Sequence, residues 1–274
     1  MQKESTPFDV TLRGPGETEV IVVGGVHGDE TGGVRAVRRL RVADLDLQRG
    51  VAFVLANPSA IDAGKRYLNS DLNRVFPGDP SGDHEERLAA ELCRFIDGKI
   101  TLSLHGTHSE PTPFALVHQS QPGEFDIVDQ LPVPYVVEYS AVDYGTITRC
   151  GVTVEIEVGA LGSEAAAVSA EQQARGFLRA VDALPGNPPK ADPAFYTMVE
   201  PIPKPAGTSY AIHANNFERV PAGATFASVD GTPLTAKEPF YPILLSTDGY
   251  PDIFGYRGTK VSDSMATIAQ PDVN

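Results

Sequence analysis

A histidine and a glutamate three positions apart are the first residues of this chain that suggest chemistry. His27 and Glu30 follow the apolar run Val20 to Val23 and a turn made by two glycines. Imidazole and carboxylate groups are common zinc ligands, and a catalytic zinc takes three protein ligands plus a water. The pair is a weak pattern by itself, because a glutamate at a helix N-terminus can simply interact with the helix dipole. His27 and Glu30 are therefore candidate zinc ligands that need a third.

The third ligand can be sought from the elements that would position the first two. The apolar run before His27 predicts a strand buried on both faces of a parallel sheet. Open α/β sheets bind their ligands at the carboxyl ends of such strands. A strand predicted at Ile100 to Leu104 ends directly before His105. Neighbouring parallel strands would bring both imidazoles to one edge of the sheet, so we predict His105 as the third ligand, with His108 on the following loop as the alternative.

A strand predicted at residues 152–158 supplies a candidate base. Its alternating pattern puts Glu155 and Glu157 on one face. Glu157 lies near the strand end, where a carboxylate can face a metal without binding it and can accept a proton from water. Glu155 lies one pleat deeper, where we expect burial to disfavour its charge. The alternative for Glu157 is a salt bridge on an edge strand.

A long irregular segment from about residue 59 to residue 83 carries Arg66, Asn73 and Arg74. Structureless segments of this length are uncommon in compact domains and usually have a function. A guanidinium group pairs with a carboxylate through two hydrogen bonds, and an asparagine amide adds a donor. These residues are therefore candidates for binding an anionic substrate, although arginines in loops often face solvent instead.

The order of predicted elements indicates the fold. Strands alternate with helices up to about residue 183, which predicts a mostly parallel α/β sheet flanked by helices. Asp83 and Glu86 form a predicted capping box for one helix. A proline-rich stretch at residues 184–193 is followed by short β-type runs without a helical period. We therefore predict a catalytic domain at residues 1–192 and a small β domain at residues 193–274.

Composition excludes some partners. The net charge is −14, with 36 acidic and 22 basic residues, so nucleic acid is an unsuitable partner. A lysine-poor acidic surface suits concentrated salt, and a salt-loving host is our hypothesis beside an ordinary acidic cytosolic protein. The sequence contains no signal-like N-terminal segment and no membrane-length apolar run, so a cytoplasmic protein is predicted. Cys93 and Cys150 predict no disulfide framework, and we expect Cys93 to be a buried thiol.

Several of these motifs, in this order, resemble the aspartoacylase/succinylglutamate desuccinylase family. The matching residues are Gly24-Gly-Val-His27-Gly-Asp-Glu30, Asn57-Pro58, Arg66, Asp71-Leu-Asn73-Arg74, Leu104-His105 and Glu155-Ile-Glu157-Val-Gly159. The resemblance extends over essentially the whole chain. It implies a zinc-carboxypeptidase-like α/β fold with a mixed, mostly parallel sheet, and a C-terminal β domain that covers the site.

The resemblance also implies roles for individual residues. One zinc ion would be held by His27, Glu30 and His105. Glu157 would serve as general base and then general acid, and Arg66 would stabilise the oxyanion.

The residues expected to bind the substrate are those in which this sequence departs most from the family pattern. Asn73 and Arg74 would bind the substrate carboxylate, and Tyr250 would reach the site from the β domain. The stretch from Gly106 to His108 differs from the Asn-Thr-Thr-like stretch of relatives that act on acetylaspartate. Arg149, with Tyr144 nearby, could bind a second carboxylate, but its spacing to Glu157 is shorter than in the family.

The expected function is hydrolysis of the amide bond of a small anionic N-acyl amino acid, by zinc-activated water with a glutamate base. A metallo-carboxypeptidase that acts on peptides would share the same ligands and base but would need an open pocket. A non-catalytic small-molecule binding protein of the same fold is the other alternative. The sequence specifies neither the acyl group nor the amino acid, and it is compatible with a homo-oligomer.

Overall fold

The computed structural model describes residues 7–119, 123–143, 145–188 and 191–263. Its strands are β1 (Asp9–Arg13), β2 (Thr18–Gly24), β3 (Gly50–Leu55), β4 (Ile100–Thr107), β5 (Phe114–Val117), β6 (Tyr135–Glu138), β7 (Thr153–Ala160), β8 (Ala194–Pro203), β9 (Tyr210–Ile212), β10 (Thr225–Val229), β11 (Thr232–Thr235), β12 (Tyr241–Ile243) and β13 (Ile253–Ser262). Its α-helices are α1 (Thr31–Val42), α2 (Pro58–Ala63), α3 (His84–Ile96), α4 (Gly123–Val128) and α5 (Glu164–Ala180). Short 3-10 helices cover Leu72–Arg74, Ser140–Val142 and Ile147–Cys150.

One large sheet runs through the molecule. Its ten strands lie in the order β1-β3-β2-β4-β7-β5-β6-β8-β13-β12, and β9, β10 and β11 form a separate antiparallel sheet. Within the described residues, five of the nine neighbouring pairs in the large sheet are parallel. This arrangement confirms the predicted α/β class with a mixed, mostly parallel sheet flanked by helices.

The strands before the two histidines are parallel neighbours, as predicted. Gly24 at the end of β2 pairs with Leu104 of β4. The next strand, β7, is parallel to β4, and His105 pairs with Glu157. His27 follows the end of β2, whereas His105 lies inside β4, which continues to Thr107. Both histidines are therefore at the same edge of the sheet, next to the strand that carries the candidate base.

Strand β2 is buried on both faces because helices cover both sides of the sheet. Val20 and Val22 belong to the core under α1 and α5, whereas Ile21 and Val23 belong to the core under α3. Burial on both faces explains why the sequence of β2 is continuously apolar from Val20 to Val23. Helix α3 begins with the predicted capping box, in which the Asp83 carboxylate accepts from the Glu86 amide at 3.0 Å and the Glu86 carboxylate accepts from the Asp83 amide at 2.7 Å.

The C-terminal strands continue the large sheet beyond the predicted boundary. Strand β8 pairs in parallel with β6, and β13 and β12 follow at its outer side. Only β9, β10 and β11 form a sheet of their own. The described chain beyond residue 193 contains strands and no helix. The division into two domains at this point stays a prediction.

The expectation of a free thiol at Cys93 is wrong. Cys93 on α3 forms a disulfide with Cys150, at the end of the 3-10 helix Ile147–Cys150, and their Cα atoms lie 4.9 Å apart. The two cysteines are 57 positions apart in the sequence, so only the packing of α3 beneath this segment brings them together. Disulfides persist mainly in oxidising compartments, with hyperthermophiles as an exception, and the cytoplasmic location stays a prediction. None of the helices in the described ranges has the length and apolarity to cross a membrane.

Candidate active site and metal centre

Three predicted metal ligands converge at one edge of the sheet. The candidate ligand atoms of His27, Glu30 and His105 all lie within 4.8 Å of one another. Nδ1 of His27 is 2.7 Å from Oε1 of Glu30, and Nδ1 of His105 is 3.1 Å from Oε2 of the same carboxylate. All three side chains are buried. Two histidines and one glutamate are a donor set known from catalytic zinc sites.

The turn between β2 and α1 packs against the segment that was predicted to be irregular. In the structure that segment begins with helix α2 and also contains the 3-10 helix Leu72–Arg74. A Cβ atom on Gly28 would lie 2.2 Å from the backbone carbon of Ala60, so only glycine permits this approach. The Gly28 amide donates to the carbonyl oxygen of Arg66 at 3.1 Å. The turn and the segment that carries Arg66 are therefore fixed to each other.

Each histidine is oriented by a second carboxylate. Nε2 of His27 lies 2.8 Å from Oδ1 of Asp71. Nε2 of His105 lies 3.1 Å from Oε2 of Glu155 and 2.9 Å from the Ser103 hydroxyl. Both imidazoles thus turn Nδ1 towards Glu30 and Nε2 towards a carboxylate. Metal-binding histidines nearly always use their other ring nitrogen in this way, which fixes the tautomer and the ring orientation.

The charges around the imidazoles favour a cation. Burial lowers the pKa of His27 and of His105, but the neighbouring carboxylates outweigh burial and raise both pKa values. Burial raises the pKa of Glu30, yet the two histidines hold it well below its ordinary value. Glu30, Asp71 and Glu155 place three carboxylates around two imidazoles. A divalent ion fits this donor set, because it would balance the surplus of negative charge.

Burial disfavours the charge of Glu155, as predicted, but it is not the deciding effect. Burial alone raises the pKa of Glu155, but hydrogen bonds lower it overall. In addition to His105, the Tyr139 hydroxyl donates to Oε1 at 2.7 Å and Nδ2 of Asn73 donates to Oε2 at 2.8 Å. These hydrogen-bond donors replace the water that burial removes and stabilise the ionised carboxylate.

Glu157 is a cavity-lining carboxylate with an unused oxygen. It lines the same cavity as the three candidate ligands. Its Oε2 is buried and has no hydrogen-bond partner among the described residues. Burial and the negative charge of Glu30 raise the pKa of Glu157 to about 7. Strand β7 lies inside the sheet between β4 and β5, so the alternative of an edge-strand salt bridge does not describe its position.

Arg66 lies against the candidate ligands. Nη1 of Arg66 is 3.2 Å from Oε1 of Glu30, and its Nε is 3.2 Å from Oδ2 of Asp71. Burial lowers the pKa of Arg66, but these two carboxylates raise it overall. The guanidinium lines the cavity and keeps further N–H groups beyond these two contacts.

Asn73 and Arg74 both line the cavity but differ in their contacts. The Asn73 amide is engaged at both ends, because Nδ2 donates to Glu155 and Oδ1 accepts from the Ile147 amide at 2.9 Å. Arg74 donates through Nη1 to the backbone oxygen of Asn73 at 2.7 Å. Within the described part of the chain, no carboxylate lies within ion-pair distance of Arg74. Arg74 is the better placed of the two to bind an anion.

The remaining predicted residues separate into two groups. Tyr250 lines the cavity, and burial raises its pKa. Arg149 is 48% exposed, its Nε lies 3.0 Å from Oδ2 of Asp143, and it is not among the described residues that line the cavity. Tyr144 lies outside the described residues.

Sequence reasoning missed two kinds of functional residue. Asp71 was noted only as part of a motif, although its carboxylate holds His27. Its position two residues before Asn73, a predicted site residue, was the signal that could have placed Asp71 at the site. The apolar side of the cavity had no signal, because its residues come from separate elements. They are Leu116, Val142, Met198 and Leu244.

The fold and the His-Glu-His cluster are those of a zinc-carboxypeptidase-like α/β protein. Residues 16–184 match the family model described as the succinylglutamate desuccinylase/aspartoacylase catalytic domain. The chain belongs to this family, as the resemblance in its sequence predicted.

Relatives and solved structures agree with this assignment. The N-alpha-acetyl-L-2,4-diaminobutyric acid deacetylase of Halomonas elongata is 38% identical over 122 residues, which are 41% of this chain and 35% of that protein. A succinylglutamate desuccinylase of Pseudomonas paraeruginosa is 35% identical over 95 residues, 33% of this chain and 26% of that protein. The matched segments thus span about a third or less of these two relatives.

Two solved structures share the fold over most of their length. A succinylglutamate desuccinylase/aspartoacylase from Rhodobacter sphaeroides superposes with a TM-score of 0.78 at 21% identity and covers 92% of this chain and 89% of its own. The product-bound ectoine utilization protein EutE (DoeB) from Ruegeria pomeroyi has a TM-score of 0.77 at 21% identity, with 92% and 88% covered.

Proposed function

We propose that this protein is a zinc-dependent N-acyl amino acid deacylase. The observation that carries the proposal is the buried cluster of His27, Glu30 and His105 next to Glu157, whose carboxylate has an unused buried oxygen. The names of two relatives, a deacetylase and a desuccinylase, support removal of an acyl group from an amino acid.

His27, Glu30 and His105 would hold the zinc ion, with Asp71 and Glu155 keeping the imidazoles oriented. Zinc at this position supplies a Lewis acid that lowers the pKa of water and polarises a carbonyl group. Its requirement for neutral imidazole and ionised carboxylate ligands is met by the donor types present.

Glu157 performs the proton transfers. Its carboxylate accepts a proton from the attacking water and returns it to the nitrogen of the leaving amine. Burial raises the pKa of Glu157, which favours a carboxylate that can hold the proton between these two transfers. The position beside His105 in the sheet register keeps the carboxylate next to the ligand cluster.

Arg66 and Arg74 have separate tasks. Arg66 donates hydrogen bonds to the carbonyl oxygen of the scissile amide as that oxygen gains negative charge. Arg74 binds the substrate carboxylate, because its guanidinium faces the cavity without a carboxylate partner among the described residues. Asn73 supports Glu155 and the Ile147 segment, so its contribution to substrate binding is indirect.

Replacement of the base tests the proposal. For Glu157→Gln we expect unchanged zinc content by elemental analysis and a fall in turnover of N-acetyl amino acids of about 10²- to 10⁴-fold. Glu138→Gln is the matched control, because Glu138 also ends a strand of the large sheet, β6, which lies two strands from β7, and it does not line the cavity. Wild-type turnover in Glu157→Gln, at equal zinc content, would refute this role.

The peptidase alternative has less support. The C-terminal strands and loops contribute to the cavity lining through Met198, Leu244, Tyr250 and Tyr256. The cavity volume of about 90 Å³, against roughly 10–15 Å³ for one water, suits a small molecule. Comparison of N-acyl amino acids with short peptides as substrates separates the two activities. A cytoplasmic location and a homo-oligomer stay predictions.

A further inference from the structure

The sheet face that carries Glu155 and Glu157 becomes apolar at the next strand. Leu116 of β5 pairs directly with Glu155, and Phe114 pairs with Glu157. Residues that face each other across an antiparallel pair lie on the same side of the sheet. The carboxylates of β7 and the apolar side chains of β5 are thus direct neighbours.

This apolar surface forms one wall of the cavity, which we call the aliphatic wall. Its residues come from β5, the 3-10 helix Ser140–Val142, β8 and the turn after β12, and they belong to one hydrophobic cluster. Met198 is 3% exposed and Leu244 is 8% exposed, so their small exposed surfaces face the cavity that they line. The members of the aliphatic wall are Leu116, Val142, Met198 and Leu244.

The backbone at Leu244 is held in an unusual conformation. Its φ is +56°, which a residue with a branched side chain rarely adopts. The buried amide of Asn216 accepts from the Leu245 amide at 2.8 Å and donates to the Ser109 carbonyl oxygen at 2.9 Å. Such conformations persist where surrounding contacts enforce them, and they cluster at ligand sites. Asn216 therefore ties the Leu244 turn to the Ser109 side of the same cavity.

The cations that line the cavity leave room for one carboxylate. Arg66 is paired with Glu30 and Asp71. Arg74 has no carboxylate partner among the described residues. Arg149, which could have bound a second carboxylate, is paired with Asp143 away from the cavity lining.

We propose that this site takes N-acyl amino acids that carry a single carboxylate, bound by Arg74, and an apolar group that packs against the aliphatic wall. The inference rests on the proposed deacylase function. On the aliphatic wall a second carboxylate would meet no cation, which is unfavourable for a charged group, and Arg66, which also lines the cavity, is already paired with Glu30 and Asp71. N-succinylglutamate, the substrate in the name of one relative, carries three carboxylates. The apolar group is either the acyl chain or the amino acid side chain.

A substrate panel with zinc-loaded protein tests this specificity. N-acetyl-L-methionine probes an apolar side chain, and N-hexanoylglycine probes an apolar acyl chain. N-acetyl-L-aspartate and N-succinyl-L-glutamate carry additional carboxylates. We expect kcat/KM for at least one apolar substrate to exceed the kcat/KM of both acidic substrates at least about tenfold. Each methylene group that is buried against the aliphatic wall should raise kcat/KM about fourfold. Equal or faster hydrolysis of either acidic substrate would overturn the inference and leave the deacylase function standing.

Binding measured by calorimetry separates this inference from the deacylase function. The probes are hexanoate, acetate and succinate, which need no turnover. We expect hexanoate to bind at least about tenfold more tightly than acetate or succinate, on the basis of methylene burial. Preference for succinate would overturn the inference, whether or not the protein hydrolyses any substrate. Absence of all turnover, together with preference for hexanoate, would refute only the deacylase function.

Variants of the aliphatic wall provide the residue-level test. Met198→Ala should lower hexanoate affinity about tenfold and leave acetate affinity unchanged, because side-chain methylene contacts are lost. Val199→Ala is the matched control, since Val199 is the next residue of β8 and is 47% exposed. Met198→Leu should restore affinity if the loss reflects packing and not unfolding. Arg149→Gln tests the rival arrangement, and a selective loss of N-acetyl-L-aspartate hydrolysis in that variant would overturn the inference.

Discussion

The disulfide between Cys93 and Cys150 makes a large contribution to stability that the fold allows us to calculate. It joins the middle of α3 to the end of the 3-10 helix Ile147–Cys150. That second segment contributes directly to the site, because the Ile147 amide donates to Asn73 and Thr146 lines the cavity. Removal of the cross-link therefore acts on the stability of the fold and on one support of the site.

The magnitude follows from the length of chain that the disulfide closes. The cysteines are 57 positions apart, and the chain-entropy model gives about 4 kcal/mol for a loop of this size. Loss of the sulfur atoms of the buried Cys150 and the partly buried Cys93 adds a smaller packing cost in the Cys93→Ala/Cys150→Ala double variant. We expect the free energy of unfolding to fall by about 3–5 kcal/mol in that variant.

Urea denaturation followed by circular dichroism measures this difference. The oxidised protein, the protein treated with a thiol reductant, and the double alanine variant are compared at the same pH and salt. The reductant should lower the urea midpoint of the wild type and leave the midpoint of the variant unchanged, which makes the variant its own control. A difference of less than about 1 kcal/mol between oxidised protein and variant would contradict the loop-closure reasoning.

Three further predictions concern separate features. Asp71→Asn should weaken zinc binding about 10- to 100-fold, because it removes the carboxylate that holds His27. Competition with a chelator measures the zinc affinity, and Asp79→Asn is the control. Unchanged zinc affinity in Asp71→Asn would contradict the role of Asp71. Burial raises the pKa of Glu124 to about 8, above its unfolded value near 4.5. The folded state therefore binds more protons between about pH 5 and pH 8, and unfolding free energy should fall over this window by roughly 5 kcal/mol at most. Glu124→Gln should flatten that dependence in urea melts, and an unchanged slope would count against it. The net charge of −14 predicts higher stability in molar salt than in low salt, and equal urea midpoints would remove the hypothesis of a salt-loving host.

The elements and ligands that could be predicted from the sequence are those with a strong local pattern. The apolar runs before His27 and His105 predicted buried strands, and the structure makes these strands parallel neighbours. Parallel strands end at the same edge, so the meeting of the two histidines followed from the fold class. The capping box could also be predicted, because its two residues, Asp83 and Glu86, are only three positions apart in the sequence.

The parts that the sequence did not reveal depend on contacts between distant segments. The charge of Glu155 depends on donors from His105, Tyr139 and Asn73, and its burial alone pointed the other way. The disulfide needed the packing of α3. The aliphatic wall is assembled from four elements, so no window of the sequence contains its pattern.

The hydrogen bonds between β8 and β6 limit how the polypeptide can be dissected. A fragment that stops at residue 192 would expose β6 as a bare edge, and such edges invite pairing with other molecules. The same cut would strip Phe114 and Tyr135 of Phe217 and leave an aromatic surface in water. Such a fragment should aggregate instead of folding as an independent unit. The small sheet of β9, β10 and β11 has no backbone pairing with the large sheet in the described residues, but it shares a hydrophobic core with Ile202 of β8 and Phe254 of β13. A chimaera that exchanges the small sheet must therefore carry these two residues with it.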